Sequence, residues 1–336
     1  MIDIEKIRAE TPGIQFSTHL LACGSSLMPQ RVVDVILEHT QLEALMGGYE
    51  AEAKKIDDLN KIYDIVAEHI GANSHEIALM ENSTVAWSHA FYSLPLKSGS
   101  RILTSEAEYA ANYVAFLQRA KRDNLTIDII PSDQNGTLDT NALEAMVDER
   151  VGLIAISWIP TNGGLVNPAE NVGKVAKKYN IPYLLDACQA AGQMQIDVNK
   201  IQCDFLSATG RKFLRGPRGT GFLYINEKWL GTIEPAMIDH FGAPWVKKNV
   251  YELREDARRF ETWENSYALR AGLGEAIKYA EEIGIDLIHE RVQLLAKFNR
   301  DLLSEIKNIQ LRDIGTEQCG IISFSIDEKN DPKEIV

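Results

Sequence analysis

The residues best placed to do chemistry lie in DACQAAGQMQIDVNKIQCDFLSATGRKFLRGPRGTGFLYI, residues 186–225. Asp186 ends one apolar run, and Lys212 follows another in a stretch that also holds Arg211, Arg215 and Arg218. The neutral amine of a lysine attacks a carbonyl to form a Schiff base, and neighbouring cations favour that neutral form. An aldehyde cofactor suits such a place. A carboxylate at the carboxyl end of a strand stands where ligands of open α/β sheets gather. Gln189, three residues on, reaches the same region if the chain turns there. Upstream, ENSTVAWSHAFYSL follows the apolar run IALM, so Ser83 and Thr84 fall at a helix start. Free backbone N–H groups and the positive helix end attract an anion there.

Pyridoxal 5'-phosphate (PLP) requires such a set: a lysine for its aldehyde, a carboxylate for its ring nitrogen, hydrogen bonds to its ring hydroxyl and a cradle for its phosphate. Lys212, Asp186, Gln189 and the Ser83–Thr84 turn supply one candidate each. Every one also has an ordinary reading. Ser and Thr cap most helices that bind nothing, an aspartate after a strand is often a structural cap, and a lysine beside arginines usually belongs to a solvated face. The order and spacing of the four, not any single residue, carry the signal.

These residues need a sheet to position them. Short apolar runs alternate with helix-period segments from about residue 77 to 225, as expected of βα units feeding a largely parallel sheet. The predicted strands are residues 77–80, 101–104, 127–130, 152–157, 183–186, 204–208 and 221–225. Helical periodicity marks YAANYVAFLQRAKR and NPAENVGKVAKKY between them. A basic, Gly-rich segment joins the last two strands, which makes them candidates for antiparallel neighbours. From Asn265 to about Asn308 the chain reads as long helix, followed by two strand-like runs, IQLRDIG and GIISFSI. Asp331, Pro332 and Glu334 read as the N-cap, N1 proline and capping-box partner of a further helix, so a C-terminal truncation is expected.

The strand ending in Asp-x-x-Gln, then a small hydroxyl residue, Gly, a basic residue, Lys and a Gly-Pro-x-Gly-x-Gly run, resembles the class V PLP-dependent aminotransferases. That family includes cysteine desulfurases, selenocysteine lyases and isopenicillin N epimerase-like enzymes. HLLACGSSLMP, NSTVAW, EYAAN, PTNGGLVNP, DACQA, TGRKFLRGPRGTGFLY and RRFETWEN carry the resemblance across nearly the whole chain. It implies the α/β PLP-dependent transferase type I fold: a mostly parallel sheet with flanking helices plus a smaller, here truncated, C-terminal α+β domain. Residues 1–30 would contribute to the active site, 31–265 would form the large PLP-binding domain, and 266–336 would link to and begin the small domain.

Carried over residue by residue, the resemblance makes Lys212 the catalytic Schiff-base lysine and Asp186 the partner of the ring nitrogen. It puts Gln189 near the ring oxygen, and Thr84 with the Ser83 backbone on the phosphate. Thr209 and Arg211 stand where desulfurases usually carry Ser and His, and both suit a phosphate, Arg211 with a permanent charge. Tyr109 takes the place of a ring-stacking His. A phenol stacks, but phenols titrate near about 10 and imidazoles near about 6.5, so a His-type proton shuttle is not implied. Thr161 stands at the usual Asn that touches the ring hydroxyl, with Asn162 beside it as a substitute. Glu264 stands where a Thr reaches the neighbouring subunit's phosphate; a carboxylate repels phosphate, so that contact is lost or passes to a residue such as Asn265. A homodimer is implied as well.

Composition bounds the alternatives. The 336 residues are 45% hydrophobic and 25% charged, the proportions of a globular chain of one or two domains. A net charge of −13 repels phosphate backbones, which argues against nucleic acid and anionic membranes as partners. RKFLRGPRG holds four cations in nine residues, but neither a P-loop nor a GxGxxG accompanies it as a nucleotide site would require. Four cysteines without a CxxC pair suit a reducing compartment, with the cytoplasm as default, and give no metal site. Cys188 and Cys319 read as packing residues, while Cys23 and His19 belong to a segment expected near the site.

The expected function is PLP-dependent chemistry on an amino acid through Cα deprotonation by Lys212. C–S cleavage or cysteine desulfuration leads, with transamination or epimerisation as alternatives and a non-catalytic PLP-fold binding protein as another class. No mobile nucleophilic cysteine of the desulfurase kind is visible, and the arginine that binds the substrate carboxylate is expected beyond Val336.

Overall fold

The computed structural model describes residues 2–326; the helix start assigned to Asp331, Pro332 and Glu334 lies outside the described residues. Seven strands form the main sheet: β1 (Ile77–Met80), β2 (Arg101–Ser105), β3 (Thr126–Ile130), β4 (Val151–Ser157), β5 (Tyr183–Asp186), β6 (Phe205–Thr209) and β7 (Gly221–Ile225). Their order is β1-β7-β6-β5-β4-β2-β3. β2 to β6 pair in parallel, and β7 runs antiparallel to both of its neighbours. The expected β6–β7 pairing is present. The place of β1 at the far edge, beside β7, was not legible from the local pattern.

The helices are α1 (Ile4–Ala9), α2 (Gln30–Met46), α3 (Gly48–Ile70), α4 (Ser83–Ser93), α5 (Ala110–Asp123), α6 (Thr140–Ala145), α7 (Ala169–Tyr179), α8 (Val198–Ile201), α9 (Glu227–Leu230), α10 (Tyr267–Ile283) and α11 (Ile285–Ser304). Successive residues of a strand point to opposite faces. Ile77, Leu79, Tyr183 and Leu185 therefore join one core, with Leu59 and Val66 of α3, Val172 of α7 and Leu273 of α10. Ala78, Met80 and Leu184 join a second core, with Trp87 and Phe91 of α4 and Phe116 of α5. A sheet buried on both faces explains why its strands read as continuous apolar runs.

β1 leaves one side of its backbone without a strand partner. Glu261, whose side chain is fully buried, accepts the Leu79 N–H at 3.0 Å and the Tyr63 hydroxyl at 3.0 Å. Arg270 of α10 donates to the Leu79 carbonyl at 3.0 Å and to Glu261 at 2.8 Å. The edge is thus closed by side chains rather than by another strand.

The expected long helix from Asn265 to Asn308 is broken. Gly284, at φ +93°, ends α10 and starts α11, a conformation that favours glycine. The two strand-like runs that follow form short strands, β10 (Ile309–Leu311) and β11 (Phe324–Ile326), which pair antiparallel, after a small hairpin of β8 (Trp245–Lys247) and β9 (Val250–Tyr251) earlier in the chain. Among the described residues, no helix is long and apolar enough to cross a membrane.

Candidate active site

The carboxyl ends of the parallel strands converge with the amino end of β7 on one cavity of about 300 Å³. All nine predicted site residues line it: Ser83, Thr84, Tyr109, Thr161, Asp186, Gln189, Thr209, Arg211 and Lys212. They arrive from the ends of five strands. β1 leads into α4, β2 into the Tyr109 loop, β4 into Thr161, β5 ends at Asp186, and β6 leads into the lysine loop. Ligands of open α/β sheets sit at this edge.

Asn82, and neither Ser83 nor Thr84, caps α4, accepting the Val85 N–H at 2.9 Å. Ser83 and Thr84 are therefore the first two helical residues, whose N–H groups have no partner within the helix. Ser83 also donates its hydroxyl to Ser207 at 3.0 Å. The close seating of this turn on the sheet depends on Gly221, where a Cβ would come within 2.6 Å of the Ala208 carbonyl and 3.0 Å of the Ser83 nitrogen.

Asp186 is buried at the end of β5. One carboxylate oxygen accepts the Cys188 N–H at 2.9 Å, and the other accepts from Asn112 Nδ2 at 3.0 Å. Both oxygens keep a lone pair free. Gln189 is fully buried; its Nε2 donates to the Cys23 carbonyl at 3.1 Å, while its Oε1 has no partner among the described residues.

Lys212 is buried in the loop between β6 and β7. That loop closes on itself through Arg215 N–H to the Lys212 carbonyl (2.9 Å) and Gly216 N–H to the Gly210 carbonyl (2.7 Å). The Lys212 ammonium stands 5.8 Å from the centre of the Tyr109 ring, which walls the cavity opposite. Arg211 and Arg218 line the same cavity, giving a negatively charged protein a local cationic pocket. Arg215 does not join them. It donates to the Thr11 hydroxyl at 2.6 Å and to the Leu27 carbonyl at 3.1 Å, so the four cations of RKFLRGPRG do not form one patch.

Thr209 donates its hydroxyl to the Thr220 carbonyl at 3.1 Å, so it must turn before it can donate to an anion. Thr161 lines the cavity; Asn162, Glu264 and Asn265 are not among its lining residues. His19 is exposed and contacts the Ser25 carbonyl at 2.7 Å, outside the lining. Cys23 meets the site only through its carbonyl. Cys188 lines the cavity, where burial, and then the Asp186 charge, push its thiol well above the ordinary range. Cys319 is fully buried, and burial raises its thiol to about 11.

One cluster beside the cavity was not anticipated. Glu108, just before Tyr109, is half-buried as a residue but has its carboxyl group enclosed. It accepts from Asn112 Nδ2 (3.0 Å), the Tyr109 N–H (2.7 Å), the Ser157 N–H (2.9 Å), the Thr104 hydroxyl (3.1 Å) and the Ser157 hydroxyl. Burial outweighs these donors and, with a smaller push from the Asp186 charge, raises its carboxyl to about 7. The i, i+4 spacing of Glu108 and Asn112 in EYAAN, which puts both on one side of a helical turn, was the available signal.

The residues present fit PLP on one specific observation: Gln189, whose buried Oε1 has no partner among the described residues, lines the cavity that also holds Lys212 and a carboxylate with free lone pairs. A ring hydroxyl satisfies that acceptor, and a ring N–H satisfies the carboxylate.

Known proteins share this architecture. The chain is 27% identical over 328 residues to a probable cysteine desulfurase of Pyrococcus abyssi, covering 96% of this chain and 82% of that one. It is 30% identical over 296 residues to a probable cysteine desulfurase of Borreliella burgdorferi, covering 83% and 68%. The apo structure of a cysteine desulfurase from Thermococcus onnurineus superposes with a TM-score of 0.92 at 27% identity, covering 100% of this chain and 84% of that one. A cystine C–S lyase in complex with its product cysteine persulfide shares the fold, with a TM-score of 0.88 at 20% identity over 97% of this chain and 88% of that one. Residues 18–335 match the family described as aminotransferase class-V, and with its sheet-edge lysine and aspartate in place, the chain belongs to that family.

Proposed function

We propose that the protein is a PLP-dependent, cysteine desulfurase-like enzyme that cleaves the C–S bond of a cysteine-type amino acid. The observation that carries this is the convergence of Lys212, Asp186 and the unpartnered Gln189 Oε1 on one cavity with a cationic end. PLP bound there supplies an aldehyde that condenses with amines and a cationic ring that accepts the electron pair released at the substrate α-carbon.

The chain's own residues do the rest. Lys212 would hold the aldehyde and carry the α-carbon proton, and Asp186 would keep a proton on the ring nitrogen. Gln189 and Thr161 would bind the ring hydroxyl, and Tyr109 would stack on the ring. The N–H groups of Ser83 and Thr84, the Thr84 hydroxyl, Arg211 and, once turned from the Thr220 carbonyl, Thr209 would hold the phosphate, with the helix dipole behind them. We read residues 1–30, 31–265 and 266–336 as the N-terminal segment, large domain and start of the small domain. In support, all seven strands of the main sheet fall within 77–225 and the first segment is tied to the Gln189 and Arg211 loops. Four unpaired thiols suit a reducing compartment such as the cytoplasm. The exposed Leu45, Tyr49 and Trp245 suit a homodimer.

A second reading has an observation of its own. Cys188 is the one cysteine lining the cavity, and its high-lying thiol is a poor nucleophile. This favours a C–S lyase that releases sulfur on a small molecule over one that carries it on Cys188.

Borohydride reduction of protein supplied with PLP, followed by peptide mapping, should give a pyridoxyl adduct on Lys212 and none in Lys212→Ala. An adduct on another lysine, or none, defeats the assignment. With cysteine as substrate, alanine marks desulfuration, pyruvate with ammonia marks elimination, and amino exchange dependent on a keto acid marks transamination.

A further inference from the structure

The reaction outlined above uses Asp186 but leaves Glu108, the most heavily hydrogen-bonded carboxylate next to the cavity, without a task. The geometry links the two. Asn112 Nδ2 carries two N–H groups, and it lies 3.0 Å from Glu108 Oε1 and 3.0 Å from Asp186 Oδ2. One amide therefore spans two carboxylates. We propose that Glu108, acting through Asn112, is a positioning residue that governs how firmly Asp186 holds a proton on the cofactor's ring nitrogen.

The groups around Glu108 are few and all named. β2 presents the Thr104 hydroxyl, β4 the Ser157 hydroxyl and N–H, α5 the Asn112 amide, β5 the Asp186 carboxylate and the Tyr183 phenol, and its own loop the Tyr109 N–H. The charge of Asp186 acts on Glu108 and raises its carboxyl. Asn112 gives one N–H to each carboxylate. When Glu108 ionises, it draws the shared amide toward itself more strongly than the neutral acid does and places a second negative charge behind Asp186. Both effects make Asp186 the stronger base. The ring nitrogen is held more firmly protonated above the Glu108 transition than below it, so the electron demand of the site follows a residue that touches neither substrate nor cofactor.

This inference rests on the PLP reading of the site, and the test separates the two. Protein loaded with PLP labelled with ¹⁵N in the ring is titrated while the ring-nitrogen resonance is followed, with borohydride trapping in parallel. Wild type should show a step toward the protonated signal with a midpoint near 7, the range to which burial raises Glu108. Glu108→Gln should lose that step while still trapping PLP on Lys212. Thr104→Val, a near-isosteric change that removes one donor to the ionised carboxylate, should move the midpoint upward by about half a pH unit. A step that persists unchanged in Glu108→Gln, or, should that variant fail to fold, an unmoved midpoint in Thr104→Val, overturns the relay while leaving the site assignment standing. No adduct on Lys212 in wild type overturns both.

Discussion

At the scale of single residues, the carboxyl of Glu108 has a consequence for folding that is independent of any ligand. Its value in the folded chain, about 7, lies above the ordinary 4.5. Between those values the unfolded chain is ionised while the folded chain keeps its proton, so stability falls as pH rises through that window and levels off above it. At about 1.4 kcal/mol per pH unit, the loss is of the order of 3 kcal/mol. Glu108→Gln cannot ionise, and its stability relative to wild type should rise by up to that amount from pH 5 to pH 8, measured by urea unfolding. An offset constant with pH would refute the enclosed carboxyl. Sequence made the rest of the site readable because Asp186, Gln189 and Lys212 sit at fixed positions around strand ends. Glu108 escaped because EYAAN drew attention to its aromatic residue, and nothing local reveals that a loop carboxylate is roofed by Ser157 from a strand some 50 positions later.

At the scale of elements, the apolar runs located all seven strands of the main sheet to within about a residue; a strand covered on both faces has no reason to alternate, and the partly exposed edge strand β3 keeps enough isoleucine to be read beside the others. Two features stayed hidden. A single glycine inside a helical pattern does not announce that it adopts φ +93°, so the break at Gly284 was missed. Strand order depends on pairing at long range, so β1 could not be assigned to the edge, nor could Glu261 of RRFETWEN be recognised as the group that seals it. That carboxylate and Arg270 are buried together, and removing one partner strands the other. Glu261→Leu should lower stability by about 3–5 kcal/mol in chemical denaturation. Adding Arg270→Met should recover a large part of it. Equal losses in the single and double variants would show that the pair does not act as a unit.

At the scale of the whole molecule, a surface of net charge −13 surrounds a cavity that gathers Arg211, Lys212 and Arg218. The remaining exposed feature is apolar: Leu45 is 85% exposed, Trp245 74% and Tyr49 70%. Exposed apolar side chains of this size suit the proposed homodimer. Light scattering at micromolar concentration should give twice the 37.6 kDa chain mass, and Leu45→Glu with Trp245→Glu should shift it toward the single chain. A wild-type protein that scatters as one chain would contradict the dimer. The opening residues have a different relation to the site. Ser26 donates to the Arg211 carbonyl at 2.8 Å, Cys23 receives Gln189, and Arg215, held at φ +61°, grips Thr11 and Leu27. The strap formed by residues 11–27 is therefore laced to both loops that frame the lysine, and a displacement of either loop large enough to admit or release a bulky occupant must unlace it first.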